Sequence, residues 1–212
     1  MKLAFIGFGE LGHYLKDTLR EVHAFDEEDI VYFDDNLLRA GAAHAHAFAD
    51  HELDTFAAHH FYIALGYQHL RVKHRIVTRL VELGRTVPPF VHPSSYVHPT
   101  ARLGPGAFVY PGCSVDRGVV LGASAVIANA DVIPHDCIIG DACWFGASVT
   151  LSGKVTVGQR TFIGSGSTIS NDIRIGSDVV VGLATAVTRN VDDGRSVIGN
   201  PMRVLDRPIQ LV

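Results

Sequence analysis

Ile133-Pro134-His135-Asp136-Cys137-Ile138, Ile139-Gly140-Asp141-Ala142-Cys143-Trp144 and Phe145-Gly146-Ala147-Ser148-Val149-Thr150 are three consecutive rows of one six-residue pattern that runs unbroken from Val97 to Asp192. Sixteen rows follow without insertion, and the first residue of each is apolar, from Val97, Leu103 and Val109 through to Val181 and Val187. The fifth place is mostly small or β-branched, as at Ala107, Cys113 and Val119, and glycine recurs in the second, as at Gly104, Gly122, Gly140 and Gly158. Self-similarity of this kind marks a parallel β-helix. Three short strands make the faces of a triangular coil, so three hexads return the chain to the same edge one coil higher, about 4.8 Å away. First-place side chains point inward and stack in ladders, while glycines and small residues are expected to relieve corners where φ and sterics are tight.

The repeat fills only the second half of a 212-residue chain, so two domains are expected, residues 1–88 and 89–212, divided at Pro88 and Pro89. With 47% apolar residues and a net charge of −4, the chain has no general positive field to recruit nucleic acid or an acidic membrane, which leaves small soluble ligands as partners. The apolar run Lys2–Gly9 is cut short by Glu10 and reads as neither a signal peptide nor a spanning helix. Cys113, Cys137 and Cys143 all fall in the fifth place and read as buried filler rather than disulfide partners or metal ligands. No metal is expected, and a cytoplasmic location is the default.

The first domain opens with a strand over Lys2–Ile6, then Gly7, Gly9 and Gly12 in the G-x-G-x-x-G pattern, then Leu11, Leu15 and Leu19 at helical spacing. Such a turn lets a ligand approach the backbone and aims a helix N-terminus at an anion, although tight packing alone also explains it. A second strand, Ile30–Phe33, ends at Asp34 and Asp35, an acidic pair that could meet a ribose or simply leave a strand end. A third, Phe61–Leu65, ends at Gly66 and leads into a helix over Leu70–Leu83 with an apolar stripe of Leu70, Val77, Leu80 and Leu83 and a solvated basic face of Arg71, Lys73 and Arg75. There is room for three strands and their helices, one mononucleotide half of a Rossmann fold, which argues against a dehydrogenase. Beyond Asp192 the tail is expected to cap the open end of the prism.

Of twelve histidines, most have a plain reading. His44, His46, His51, His59 and His60 are expected at the surface, His92 and His98 before prolines are structural, and His13 starts a helix beside the glycine turn. His135 differs: it takes the third place of its hexad, at a corner, Asp136 follows it, and adding eighteen residues reaches Gly153 one coil above. An imidazole beside a carboxylate is a base held in one tautomer, and a glycine amide free to donate could hold an oxygen that gains negative charge. A solvent-facing His–Asp turn is the alternative.

Ile6-Gly7-Phe8-Gly9, Tyr32-Phe33-Asp34-Asp35, Ala64-Leu65-Gly66, His92-Pro93, the run from Ile133 to Gly140, Leu151-Ser152-Gly153 and Gly199-Asn200-Pro201 together resemble a known family over both halves of the chain. It is the left-handed β-helix acyltransferases that carry a small nucleotide-binding domain ahead of the helix: the bacterial nucleotide-aminosugar N-acetyltransferases of bacillosamine and perosamine type, and the sialic acid O-acetyltransferases. The resemblance implies a homotrimer with sites between neighbouring β-helices, a part in polysaccharide biosynthesis, His135 as general base and Asp136 as its orienting partner. It implies acetyl-CoA as co-substrate, its thioester at the Gly153 backbone and the rest along the coils near Ser165, Gly166 and Leu183, with Arg189 for its phosphates. The sugar nucleotide would lie on the first domain, around Gly7, Gly9, Asp34, Asp35 and Gly66.

The chain departs from the family's pattern at Ala128 and Pro134, at Trp144 where a second histidine is common, and at Asp131, an acid in the small-residue column that is costly if buried without a partner. The alternatives are O-acetylation of a sialic-acid-type sugar and a trimeric nucleotide-binding scaffold without catalysis.

Overall fold

A computed structural model describes residues 1–211 and divides into two compact units, Met1–Pro88 and the chain from Pro89 onward. In the first unit, strands β1 (Leu3–Ile6), β2 (Ile30–Phe33), β3 (Ala45–His46) and β4 (His60–Ile63) form a parallel sheet in the order β3-β2-β1-β4. That is one strand more than the sequence predicts. At two residues, β3 is too short to leave an alternating signature. Leu3, Phe5, Ile6, Phe33 and Phe61 are fully buried in the sheet core. Helices α1 (Glu10–Arg20) and α3 (Leu70–Glu82) follow β1 and β4, and the short α2 (Asp35–Arg39) follows β2.

Two expectations for this unit fail. Lys73 is not solvated: only 2% of it is exposed, and burial pushes its ammonium down to about 7. At 3.6 residues per turn it falls on the same face as Leu70, Val77 and Leu80, so it fills the gap in their stripe. His51 and His59 are buried rather than on the surface, each with Nδ1 on a backbone carbonyl, Phe48 O at 2.6 Å and Phe56 O at 3.1 Å. His51 sits in the short helical segment Phe48–Glu52, its ring edge-on against Phe33 and Phe48, and His59 in the bend just before β4, edge-on against Phe56.

In the second unit one two-residue strand per hexad runs from Tyr96–Val97 to Ala186–Val187, and pairing joins residues eighteen apart, as in Val120↔Ile138, Thr150↔Thr168 and Trp144↔Phe162. The strands stack into three parallel sheets, the faces of the prism. The first face holds Phe108–Val109, Val126–Ile127, Trp144–Phe145, Phe162–Ile163 and Val180–Val181; the second holds Ser114–Val115, Val132–Ile133 and Thr150–Leu151; the third holds Val120–Leu121, Ile138–Ile139 and Thr156–Val157. First-place residues from Val109 to Val187 are at most 2% exposed, so the ladder read from the sequence is the core.

The coil begins earlier than the repeat suggests, because Phe90–Val91 already pairs with Phe108–Val109 as the first rung of the first face. It also outlasts Asp192. After a two-residue slip Ser196–Ile198 pairs with Val180–Val181, and Arg203–Val204 turns back antiparallel along it.

Glycine meets the two expected demands at different places, φ at the fourth (Gly106, Gly112, Gly118 and Gly166) and sterics at the second. The left-handed corner is the fourth place, where φ lies between 51° and 61° at Ser124, Asp136, Ser148, Lys154 and Ala184 alike, mostly without glycine. That conformation costs roughly 1 kcal/mol per residue, and a backbone bond to the coil below offsets it, as in Asp136 N–H to Arg117 O at 3.0 Å. The second-place glycines answer to sterics alone: a Cβ at Gly104, Gly122, Gly140 or Gly158 would lie 2.5–2.6 Å from a backbone nitrogen one coil higher.

Candidate active site

His135 and Asp136 form the turn between the strands Val132–Ile133 and Ile138–Ile139, on the edge where the second and third faces meet. His135 Nδ1 lies 3.0 Å from Asp136 Oδ2. A carboxylate has no proton to give, so in the neutral ring Nδ1 carries the hydrogen and Nε2 the lone pair. That bond, with the Arg117 guanidinium 3.9 Å away, holds the Asp136 carboxyl below the usual carboxylate range. Gly118, one coil below, makes room for the pair, since a Cβ there would fall 2.5 Å from Asp136 Oδ1.

Gly153 stands one coil above, and the imidazole lies over it: a Cβ on Gly153 would be 2.6 Å from His135 Nε2 and 2.8 Å from Cε1. The imidazole therefore faces a bare stretch of backbone. The Gly153 amide is not free as the sequence suggests, because it donates to Asn171 Oδ1 at 3.0 Å. Spacing found His135 and Gly153 but stopped one step short, since eighteen residues further gives Asn171 and eighteen back from His135 gives Arg117.

The other positions divide between edges. Arg189 shares the third-place edge of His135, Gly153 and Asn171 and is exposed. Ser165, Gly166 and Leu183, all exposed, stand where the first and second faces meet. Trp144 lies on the first face, opposite the His135 edge, between Val126 and Phe162. One chain by itself does not bring the two sets together.

In the first unit Gly7 adopts φ +75° and a Cβ there would meet Leu65, whereas Gly9 caps α1 with open space around its Cα, and Gly66 is equally open. Both Asp34 oxygens are engaged: Oδ1 accepts from Asn36 and Leu37 N–H, capping α2, and Oδ2 accepts from Phe8 N–H at 2.8 Å. Asp34 thus shapes the glycine turn, and Asp35 accepts from Phe48 N–H. A cavity of about 290 Å³ adjoins the turn, lined by Phe8, His13, Lys16, Glu27 and Tyr32. The Tyr32 hydroxyl, Lys16 and Arg20 all donate to Glu27, holding its carboxyl at about 2. A larger groove of about 520 Å³ runs along α3 past Phe48, His51, Arg75 and Arg79, and none of the sequence-predicted site residues lines it.

The three cysteines are buried and free, with burial pushing Cys113 up to about 11 and Cys143 to about 12. Among the described residues no group of three or more His, Cys, Asp and Glu could hold a metal ion, and no helix is long and apolar enough to cross a membrane.

The bacterial transferase hexapeptide family (six repeats) matches residues 136–171. No curated protein matches. Among solved structures, the GDP-perosamine N-acetyltransferase of Caulobacter crescentus, in a histidine-to-alanine variant complexed with CoA and GDP-perosamine, is 25% identical with a TM-score of 0.87 and covers 98% of each chain. The acetyltransferase domain of PglB from Neisseria gonorrhoeae FA1090 is 25% identical, with a TM-score of 0.86, covering 96% of this chain and 99% of its own. WeeI from Acinetobacter baumannii AYE, 20% identical with a TM-score of 0.82, shares the fold over 97% of this chain and all of its own. The fold is a left-handed parallel β-helix behind a small α/β unit, and the protein is an acyltransferase. Within that class, the matches support the nucleotide-aminosugar N-acetyltransferases read from the sequence.

Proposed function

We propose that the protein transfers an acetyl group from acetyl-CoA to the amino group of a nucleotide-linked amino sugar, with His135 as general base. The observation that carries this reading is the His135–Asp136 pair, which leaves Nε2 as an acceptor over the bare backbone of Gly153. The sugar nitrogen attacks the thioester carbon as His135 Nε2 takes its proton. The carbonyl oxygen becomes an oxyanion held by the Gly153 amide, and collapse expels the CoA thiolate, which recovers the proton from the imidazolium. Transfer is direct, because the cysteines are buried in the prism and hold their protons.

The α/β unit takes the nucleotide, with the open backbone at Gly9 and Gly66 and the α1 N-terminus as anion sites. A homotrimer completes the CoA site: His135 and Arg189 stand on one edge and Ser165, Gly166 and Leu183 on another, so a CoA that meets both sets bridges two copies. Unpaired buried thiols fit a cytoplasmic enzyme.

Thiol release by the purified protein, on acetyl-CoA with UDP-, dTDP- and GDP-linked amino sugars and with free sialic acid, tests the reading. Turnover on an amino sugar supports it, and turnover on sialic acid alone replaces it with O-acetylation. Light scattering at about three times the 22.9 kDa chain mass is the expected assembly state.

Gly153→Ala gives a sharper test. Its φ is ordinary, so the added methyl displaces the imidazole instead of the backbone. The expected result is a melting temperature close to wild type with a rate loss of about 100-fold, the cost of shifting a catalytic group by an ångström or so. A rate within twofold of wild type rules out catalysis at this corner.

A further inference from the structure

The bond from the Gly153 amide to Asn171 Oδ1 has counterparts on another edge of the prism, where Ala123 N–H donates to Asp141 Oδ1 at 2.7 Å and Ser177 N–H to Asp193 Oδ1 at 2.9 Å. A short side-chain carbonyl one coil higher is how this prism covers an outward N–H at a corner. On the His135 edge that cover has a chemical consequence, because the covered N–H belongs to the residue against which the imidazole lies. A thioester oxygen can use it only by displacing Asn171.

We propose that Asn171 is a positioning residue that makes the Gly153 amide select the tetrahedral oxyanion over the ground-state thioester. The inference rests on the acetyl-transfer reading above. A carboxamide oxygen accepts a hydrogen bond at least as well as a thioester oxygen, so the exchange gains nothing while the substrate is intact. When the sugar nitrogen adds, the carbon–oxygen double bond becomes a single bond to a charged oxygen. A charge-assisted bond is roughly twice as strong as a neutral one, and the amide then leaves Asn171 for the oxyanion. The donor's worth is realised in the transition state alone, which raises kcat without tightening substrate binding.

Two variants separate this role from a structural one. Asn171→Ala removes the competitor, so KM for acetyl-CoA falls about three- to tenfold, the worth of one net hydrogen bond, while kcat does not rise. Asn171→Asp keeps an acceptor on the amide but gives it a charge that competes with the oxyanion, so kcat falls about tenfold or more with KM little changed. A purely structural cap predicts a lower melting temperature for Asn171→Ala with both constants unmoved, and that result overturns the proposal. The Gly153 amide resonance is an independent readout. On titration with acetyl-CoA it should stay in place in the wild type and move downfield in Asn171→Ala, and a matching shift in the wild type overturns the proposal whether or not any sugar turns over. Absence of turnover by the wild type on every sugar is instead a failure of the acetyl-transfer reading.

Discussion

Replacing His135 with alanine is expected to lower kcat for acetyl transfer by about 10²–10⁴-fold, the usual worth of a positioned general base, with the fold intact. The fold should survive because the side chain is 40% exposed and its one side-chain bond is to Asp136, itself at the surface. The loss should fall on kcat, since the imidazole acts on the proton that leaves as the new bond forms. Binding of CoA, followed by thermal shift, should stay within a few-fold of wild type. Because the site opens to solvent, added imidazole should restore part of the rate, and the restored rate should rise with the concentration of its neutral form. His135→Asn fills the space with a group that is no base and should stay inactive, whereas a scaffold protein would show no difference between any of these variants. Unchanged thiol release by His135→Ala would eliminate this residue as the base.

The hexad ladder was legible because its requirement is local and repeated: one inward place in six, filled by an apolar residue at every turn from Val109 to Val187. His135 and Gly153 were legible for the same reason, since the period converts sequence separation into position on one edge. What did not show in the sequence depends on backbone geometry or on neighbours brought from afar. The left-handed fourth place accepts alanine, serine, lysine and aspartate alike, so no residue type marks it. Lys73 looks like a surface residue by type, and only the packed face of α3 makes it a buried one. Asp34 has the spacing of a ribose-binding acid, yet its oxygens are engaged by the Phe8, Asn36 and Leu37 amides. The two edges that divide Arg189 from Ser165 and Leu183 follow from counting hexads in threes.

Asp131→Thr should stabilise the protein and remove a dependence of stability on pH. Asp131 is fully buried in the fifth place, where Oδ1 accepts from Val149 N–H at 2.7 Å and Oδ2 has no partner. Burial pushes its carboxyl up to about 8, against an ordinary value of 3.8. A raised acid costs nothing below about pH 4, where folded and unfolded chains both carry the proton. As pH climbs from 4 toward 8 the unfolded chain releases that proton and the folded one keeps it, so stability falls through this window and levels off above it. At 1.36 kcal/mol per unit the loss is on the order of a few kcal/mol. The same column shows the better solution. Thr161 Oγ1 donates to Gly176 O at 2.8 Å and accepts from Val179 N–H at 3.2 Å, and Ser167 does the same between Gly182 O and Thr185 N–H. The residues equivalent to those partners for position 131 are Gly146 and Val149, fifteen and eighteen further on. A threonine there satisfies both without a charge. Denaturant melts should show wild-type stability declining between pH 5 and 8 while Asp131→Thr declines less and starts higher at pH 7. Equal slopes for the two proteins would mean that Asp131 ionises as readily folded as unfolded, and that the column tolerates the acid for a reason other than its protonation.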